Sequence, residues 1–341
     1  MLKINMFSSA DKVKGQGVGS AYAELLNMLD KYFSDEFIIN INRYTPSDVS
    51  HYHTVDPQFF LSTFLKKRRG TTVGYVHFLP ETLEGSLSLF SPFQKIFDWY
   101  LIKFYGRMDE LVVVNPTFIP KLVEAGLTEE KITYIPNFVS TEQFHEVSRK
   151  DKLSYRDEYG IEPDALVILG TGQIQQRKGI DDFIQLAKDN PDVQFIWAGG
   201  FSFGKITDGY DRYKEYYDNP PKNLLFTGIV ERDDIMKLYN LADVFLLPSY
   251  NELFPMSILE AFNCGTPVML RDLELYHSII KDTYISTDDI KGMQAAIDKI
   301  KNQPDLLNEY VEKSREAARY YSEENVAKIW DDYYHKVARK A

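Results

Sequence analysis

Short apolar runs alternate with longer stretches whose apolar positions recur at helical spacing, and the alternation starts at the N-terminus. Residues 2–7 read as a strand, a polar loop follows, and residues 19–32 carry a helical stripe. Further strands are expected at 37–42, 72–77, 111–114 and 132–135, with helices at 57–67, 91–107 and 116–125. Between about 140 and 163 the pattern turns polar, with no period strong enough for a core element. It then restarts, with strands at 166–171, 193–198, 223–227, 244–248 and 267–270 and helices at 179–189, 231–241, 255–263, 289–301 and 304–320. Strands regularly separated by helices predict parallel sheets covered on both faces. The expected fold class is therefore α/β, with two parallel-sheet domains at 1–145 and 146–321 and a ligand cleft between them. The stretch 322–341 carries Val326, Ile329, Trp330, Tyr333 and Tyr334 at helical spacing and reads as a terminal helix packing back on the N-terminal domain.

Composition agrees with two domains, because 341 residues exceed the size at which one core usually keeps growing. Cys264 is the lone cysteine and there are 6 histidines without an HExxH pattern, so neither a disulfide framework nor a metal site is expected. A formal charge of -11 argues against a general nucleic-acid binder. Basic and acidic residues nearly balance over residues 1–150, which leaves the acidic excess in the remainder. The first residues read as a strand rather than a signal peptide, and no apolar run is long enough to span a bilayer, so a cytoplasmic protein is expected.

Candidate chemistry lies where predicted strands end. The loop Lys14–Ser20 contains Gly15, Gly17 and Gly19 between the first strand and a helix; it suits either a phosphate cradle or a turn needing positive φ. It is not a GxGxxG fingerprint, and no acidic residue closes the second strand, which disfavours a NAD-dependent dehydrogenase. The run from Gly170 through Gly172 to Arg177-Lys178-Gly179 is sharper. An arginine fork and a lysine beside a helix start form a diphosphate clamp, with a surface Arg–carboxylate pair as the bland alternative. Glu252 and Glu260 bracket the start of another helix after the strand at 244–248, a pair that helix-end electrostatics could also explain. His77, at the end of a strand, is either a catalytic group or a turn or packing residue. A cation clamp and an acidic pair together suit transfer from a nucleotide-activated sugar, because charge develops on the departing diphosphate.

On these motifs the chain resembles the retaining, two-Rossmann-domain (GT-B) transferases of glycosyltransferase family 4, over nearly its whole length. The family's E-x7-E falls on Glu252 and Glu260, its Arg-Lys pair on Arg177 and Lys178, and its glycine loop and N-domain histidine on 15–19 and His77. RKGIDDF, PDVQFIWAGG, NPPKNLLFTG and VMLRDLELY are similar to bacterial enzymes that add a second hexose to monoglucosyl-diacylglycerol. The resemblance implies that Arg177 and Lys178 hold the donor diphosphate, Glu260 the ribose and Glu252 the donor hexose. It places His77 at the sugar and the reacting centre, Gly17 and Gly19 near phosphate and acceptor, and Gly172, Phe254, Pro255 and Met256 in the nucleotide-sugar site. Leu253 stands where the family usually has glycine. The implied donor is UDP-glucose or UDP-galactose, the acceptor a glycolipid used in membrane glycolipids or lipoteichoic acid anchors, and no cofactor or metal is called for.

The segment 57–70 sets Phe59, Phe60 and Phe64 beside Lys66, Lys67, Arg68 and Arg69. Apolar bulk next to consecutive cations suits peripheral contact with an anionic membrane surface, on the inner face of the cell membrane; a buried helix followed by a solvated basic turn is the alternative. Rival readings of the whole chain are a transferase acting on a soluble or cell-wall polysaccharide and a non-catalytic nucleotide-sugar or glycan-binding protein.

Overall fold

The computed structural model describes residues 1–10, 17–65, 67–77, 79, 91–201, 204, 209–252 and 254–339, with backbone alone at 17, 18, 20 and 91–94. The chain divides into two units. One comprises Met1–Phe138 together with Glu323–Ala341, and the other Val139–Ser322.

The first unit is built on β1 (Leu2–Phe7), β2 (Phe37–Ile41), β3 (Val49–Tyr52), β4 (Thr71–Val76), β5 (Glu110–Val113) and β6 (Ile132–Tyr134). They form a wholly parallel sheet in the order β2-β1-β3-β4-β5-β6. The order reverses between β1 and β3, and ligands of such sheets bind outside the carboxyl ends of the strands at that reversal. β3 was not expected. Its sequence, VSHY, sets polar Ser50 and His51 side by side and so breaks the apolar run, yet every position is buried, and His51 finds a hydrogen-bond partner in Tyr334 at 2.8 Å. Tyr334 belongs to the C-terminal helix Glu323–Ala338, which also accepts from Thr71 through the Val337 carbonyl and pairs Glu323 with Lys31 at 3.2 Å.

The second unit holds β7 (Val167–Thr171), β8 (Gln194–Ala198), β9 (Leu224–Gly228), β10 (Val244–Leu247), β11 (Val268–Arg271) and β12 (Ile285–Thr287). This sheet is also parallel, in the order β12-β11-β10-β7-β8-β9, and reverses between β7 and β10. β7 and β10 are buried at every position, as strands covered on both faces must be. Several features differ from the expected pattern: β12 and a helix at Tyr210–Asp218 were not expected. The boundary falls at Val139 because the chain beyond it already packs in the second unit: Val139 accepts from Asn263, and Phe144 meets Tyr239 edge-on. The polar connection also contains a helix, Arg149–Glu158, capped by Ser148. It anchors through the buried Arg156, which bonds Asp243 at 2.7 Å and the carbonyls of Leu241, Pro163 and Ala165. Lys152 of the same helix also reaches Asp243, at 2.8 Å, and a helix anchored by cations leaves no apolar stripe to read.

Candidate functional site

The loops that follow β7 and β10 meet at the reversal of the second sheet. Beyond β7 the chain turns at Gly172 and makes a short 3₁₀ turn over Gln176–Lys178 before the helix Ile180–Asp189. Gly179 lies at φ +73°, and a Cβ there would come 2.3 Å from the Pro248 carbonyl oxygen. Glycine is therefore what lets this helix start directly against the end of β10. The two loops are joined further by the Tyr250 amide, which donates to the Arg177 carbonyl at 2.9 Å, and by the Arg177 guanidinium, which reaches the Asn251 carbonyl at 3.3 Å.

The sequence motifs converge here. Lys178 Nζ donates to Glu252 Oε1 at 2.5 Å, with side-chain exposures of only 15% and 7%. The bland alternative was a surface Arg–carboxylate pair; the observed pair is instead largely buried, uses the lysine, and takes the first glutamate of E-x7-E as its partner. Arg177 keeps a buried Nε with no hydrogen-bond partner among the described residues, as does Ser249 Oγ. Gly172, at φ +131°, lies against the aliphatic chain of Lys178.

Glu260 sits within the helix Met256–Asn263, half-buried, and accepts from the Tyr239 hydroxyl at 2.7 Å. Burial first and then Glu260 push the Tyr239 phenol far above its ordinary pKa, so it stays a donor; a Thr171 hydroxyl contact acts the other way. Phe254 and Met256 are buried, so their side chains serve packing, and Phe254 meets Tyr321 edge-on. Pro255 occupies the N-cap position of this helix, which has no side-chain cap. Leu253 lies outside the described residues.

Two more groups brace the rim, and neither was singled out from the sequence. Arg271, ending β11, pairs with Asp182, donates to the Pro248 carbonyl at 3.1 Å and lies 4.1 Å over the Tyr250 ring. Tyr250 itself donates to Asp182 at 2.7 Å. Tyr276 is buried with its hydroxyl unpartnered among the described residues; burial first, then the charge of Glu252, raise its pKa well above normal. No sequence motif marks Tyr276, because its relation to Glu252 is created by the sheet.

In the first unit, His77 lies just past β4 and is buried. It joins His51 and His53 of the β3 segment, a strand the sequence reading left out; the HYH triplet at 51–53 was the available signal. Burial holds His51 and His77 at a pKa of about 3, and His53 well below the ordinary value, so all three are neutral near pH 7. Gly17 opens the helix Gly17–Phe33, while Gly15 lies outside the described residues. A Cβ at Gly19 would sit 3.1 Å from the Ala10 carbonyl oxygen, so close approach to the chain leaving β1 suffices to explain that glycine.

The basic-aromatic segment divides. Phe59 is buried against Phe7 (ring centroids 5.4 Å) and belongs to the core rather than to a lipid-facing surface. Arg69 pairs with Asp109 at 2.5 Å and bonds Thr72, which makes it a structural cation. Lys66 lies outside the described residues. Phe60 is half-buried, whereas Phe64, Lys67 and Arg68 are exposed. The expected helix also stops early, at Ser62, where Ser62 and Thr63 hydroxyls donate back to the Phe59 and Phe60 carbonyls. Exposed Leu61, Leu65, Ile96 and Trp99 extend this surface, the last two from the helix Ser91–Gly106. A groove of about 690 Å³ runs between Phe60, Trp99, Ile102, Lys103, Arg107 and Leu127. Among the described residues no helix is long and apolar enough to cross a membrane.

Comparison with known proteins covers both units. Residues 151–317 match the model for glycosyl transferases group 1, and residues 20–143 that for glycosyltransferase family 4. The chain is 50% identical to the alpha-galactosylglucosyldiacylglycerol synthase of Streptococcus pneumoniae, over 99% of this chain and 90% of that protein. It is 26% identical to the processive diacylglycerol alpha-glucosyltransferase of Acholeplasma laidlawii, over 81% of this chain and 80% of that one. Among solved structures, sucrose-phosphate synthase from Thermosynechococcus elongatus superposes with a TM-score of 0.81 at 14% identity, each chain covered completely. The Anabaena Alr3699/HepE protein in complex with UDP-glucose superposes with a TM-score of 0.77 at 15% identity, over 100% of this chain and 99% of that one. At those identities the structural likeness establishes the fold.

Proposed function

The chain belongs to glycosyltransferase family 4 and has its GT-B fold, and from that premise we propose that it moves a hexose from a UDP-sugar to monoglucosyl-diacylglycerol with retention of configuration. One observation carries this reading: the buried Lys178–Glu252 pair, set with Arg177 at the reversal point of the second sheet.

In the donor-free chain the pair neutralises itself, because an unpaired charge at that depth would be costly. A UDP-hexose brings a diphosphate that competes for Lys178 and Arg177, and a hexose whose hydroxyls give Glu252 new donors. Arg177, whose Nε has no partner among the described residues, has donor capacity in reserve for the phosphate. As the glycosidic bond breaks, negative charge grows on the leaving diphosphate, and cations already fixed beside it stabilise that state more than the bound donor. Glu260, held by Tyr239, takes the ribose hydroxyls. Gly172 lets the protein backbone approach the donor closely, and the uncapped start of the helix after Pro255 offers amides to phosphate. His77, neutral at working pH, hydrogen-bonds sugar hydroxyls near the reacting centre. No side chain is assigned as a nucleophile.

The acceptor is a lipid, so the enzyme works at a membrane surface. Exposed Leu61, Phe64, Leu65, Ile96 and Trp99 dip into the interface, while Lys67, Arg68, Lys95 and Lys103 meet anionic head groups. We place the protein peripherally on the cytoplasmic face. The 50% identity to a glycolipid synthase favours this acceptor over a soluble glycan. The test is incubation with UDP-glucose or UDP-galactose and monoglucosyl-diacylglycerol in anionic mixed micelles. A dihexosyl lipid is expected from one of the two donors, and transfer only to soluble glycans would overturn the lipid reading.

A further inference from the structure

One face of the first sheet carries a column of rings formed by His51 and His53 from the β3 segment with Tyr75 and His77 from the β4 segment. Ring centroids lie 4.1 Å apart for His51–His53, 5.1 Å for His53–Tyr75, 4.3 Å for Tyr75–His77 and 5.8 Å for His53–His77. The lower end is tied into the fold. His51 Nδ1 shares a hydrogen bond with the Tyr334 hydroxyl, Trp330 packs on both His51 and Tyr75, and the Tyr75 hydroxyl donates to Asn137 at 3.4 Å.

The upper end is not satisfied in this way. Both ring nitrogens of His53 and Nε2 of His77 are buried and have no hydrogen-bond partner among the described residues; lower down the same holds for His51 Nε2. Buried polar atoms are nearly always paired, so such a concentration of unpaired ones points to a missing ligand. Its location agrees. The His53 amide donates to the Phe7 carbonyl at 2.8 Å, which places His53 where β1 and β3 end side by side. That is the reversal point of the sheet, where ligands of such folds sit.

The chemistry of the ligand follows from the protonation state. A neutral imidazole offers one donor and one acceptor, which complements a hydroxyl and gives no charge to a phosphate. We propose that His53, with His77, clamps a hydroxyl of the accepting hexose and is an acceptor-binding residue of the first unit. This deepens the transfer reading above and rests on it.

His53→Phe keeps the shape of the ring and removes both nitrogens, whereas His53→Gln keeps a donor and an acceptor. In His53→Phe the KM for monoglucosyl-diacylglycerol should rise about tenfold, the loss of one well-placed hydrogen bond, while the KM for UDP-hexose is unchanged. The thermal midpoint of His53→Phe should equal or exceed that of the wild type, because two buried nitrogens without a partner among the described residues are removed, and His53→Gln should recover part of the acceptor affinity. An unchanged acceptor KM in His53→Phe overturns the proposal and leaves ordered water as the partner of these nitrogens. A second readout needs neither a variant nor the lipid reaction. In histidine-labelled wild-type protein, titration with octyl glucoside should shift the His53 ring resonances, and an absence of shift at saturating glucoside overturns the proposal. If the wild type makes no glycolipid but the His53 signals still shift, the lipid-acceptor reading fails and the hydroxyl clamp stands.

Discussion

The two units are built alike and finished differently. Each is a six-stranded parallel sheet whose order reverses once, and each gathers polar side chains at that reversal. In the second unit the rim groups are ionic and largely matched to one another: Lys178 with Glu252, Arg271 with Asp182, and Glu260 with the Tyr239 hydroxyl. In the first unit they are neutral imidazoles, several of whose nitrogens have no partner among the described residues. A rim of paired charges suits a ligand that brings its own charge and exchanges partners. A rim of neutral donors and acceptors suits hydroxyls. One fold thus presents two chemistries, set by which residues stand at the strand ends.

The strongest way to break this contrast is at the ion pair. Glu252→Gln should lower the transfer rate by roughly two to three orders of magnitude, the scale seen when one electrostatic contact to the reacting group is lost. Its circular dichroism should stay native. Lys178→Met should lose rate as well, and both variants should unfold earlier than the wild type, because each leaves a largely buried charge without its partner. Equal rates in wild type and Glu252→Gln would remove the pair from the chemistry.

The next effect separates core from surface within one short segment. Phe59→Ala should cost about 3–5 kcal/mol of stability, as deletion of a buried ring does. Phe64→Ala should leave the thermal midpoint nearly unchanged and weaken liposome binding instead, since Phe64 is exposed. The reverse result would exchange their assignments.

Acid should destabilise the first unit more than the second. His51 and His77 have pKa values held to about 3 by burial, whereas in the unfolded chain they titrate near the ordinary value of about 6.5. Between those limits the unfolded state binds protons that the folded state refuses, so stability is fully present above about pH 6.5 and is lost as pH falls toward 3. Each such histidine contributes a slope of up to about 1.4 kcal/mol per pH unit. Thermal unfolding from pH 7.5 to 4.5 should show this slope, and His51→Phe should flatten it. A slope identical in that variant would exclude the cluster as its cause.

The smallest effect concerns the surface. Removing the charges of Lys67 and Arg68 should weaken flotation with anionic vesicles by about 1 kcal/mol for each residue. Arg69→Ala should lower stability through the loss of Asp109 and Thr72 contacts, with little further change in flotation. Equal loss of flotation from Arg69→Ala in a fully folded variant would return that residue to the lipid surface.

The sequence made the alternation of strands and helices legible because buried parallel strands are continuously apolar, as in VILGT and VFLL. It also exposed Arg177, Lys178, Glu252 and Glu260, since charged residues at strand ends are conspicuous. It concealed β3, whose His51 is buried against a partner far along the chain, Tyr334, and the helix at Arg149–Glu158, anchored by Arg156 and Lys152 rather than by an apolar stripe. Burial within 57–70 was equally hidden. Phe59 and Phe64 are the same residue type, and only the packed sheet determines which one faces solvent. The Lys178–Glu252 contact spans 74 positions and had no local signature.

The most direct measurement of the central claim is product analysis after a single turnover. Wild-type protein is mixed with labelled UDP-glucose or UDP-galactose and monoglucosyl-diacylglycerol in anionic mixed micelles, and the lipid fraction is examined by NMR. The account predicts a dihexosyl-diacylglycerol with an α-linked new hexose, retaining the donor's anomeric configuration, and its near absence with Glu252→Gln. A β-linked product, or no labelled lipid from either donor, would contradict it.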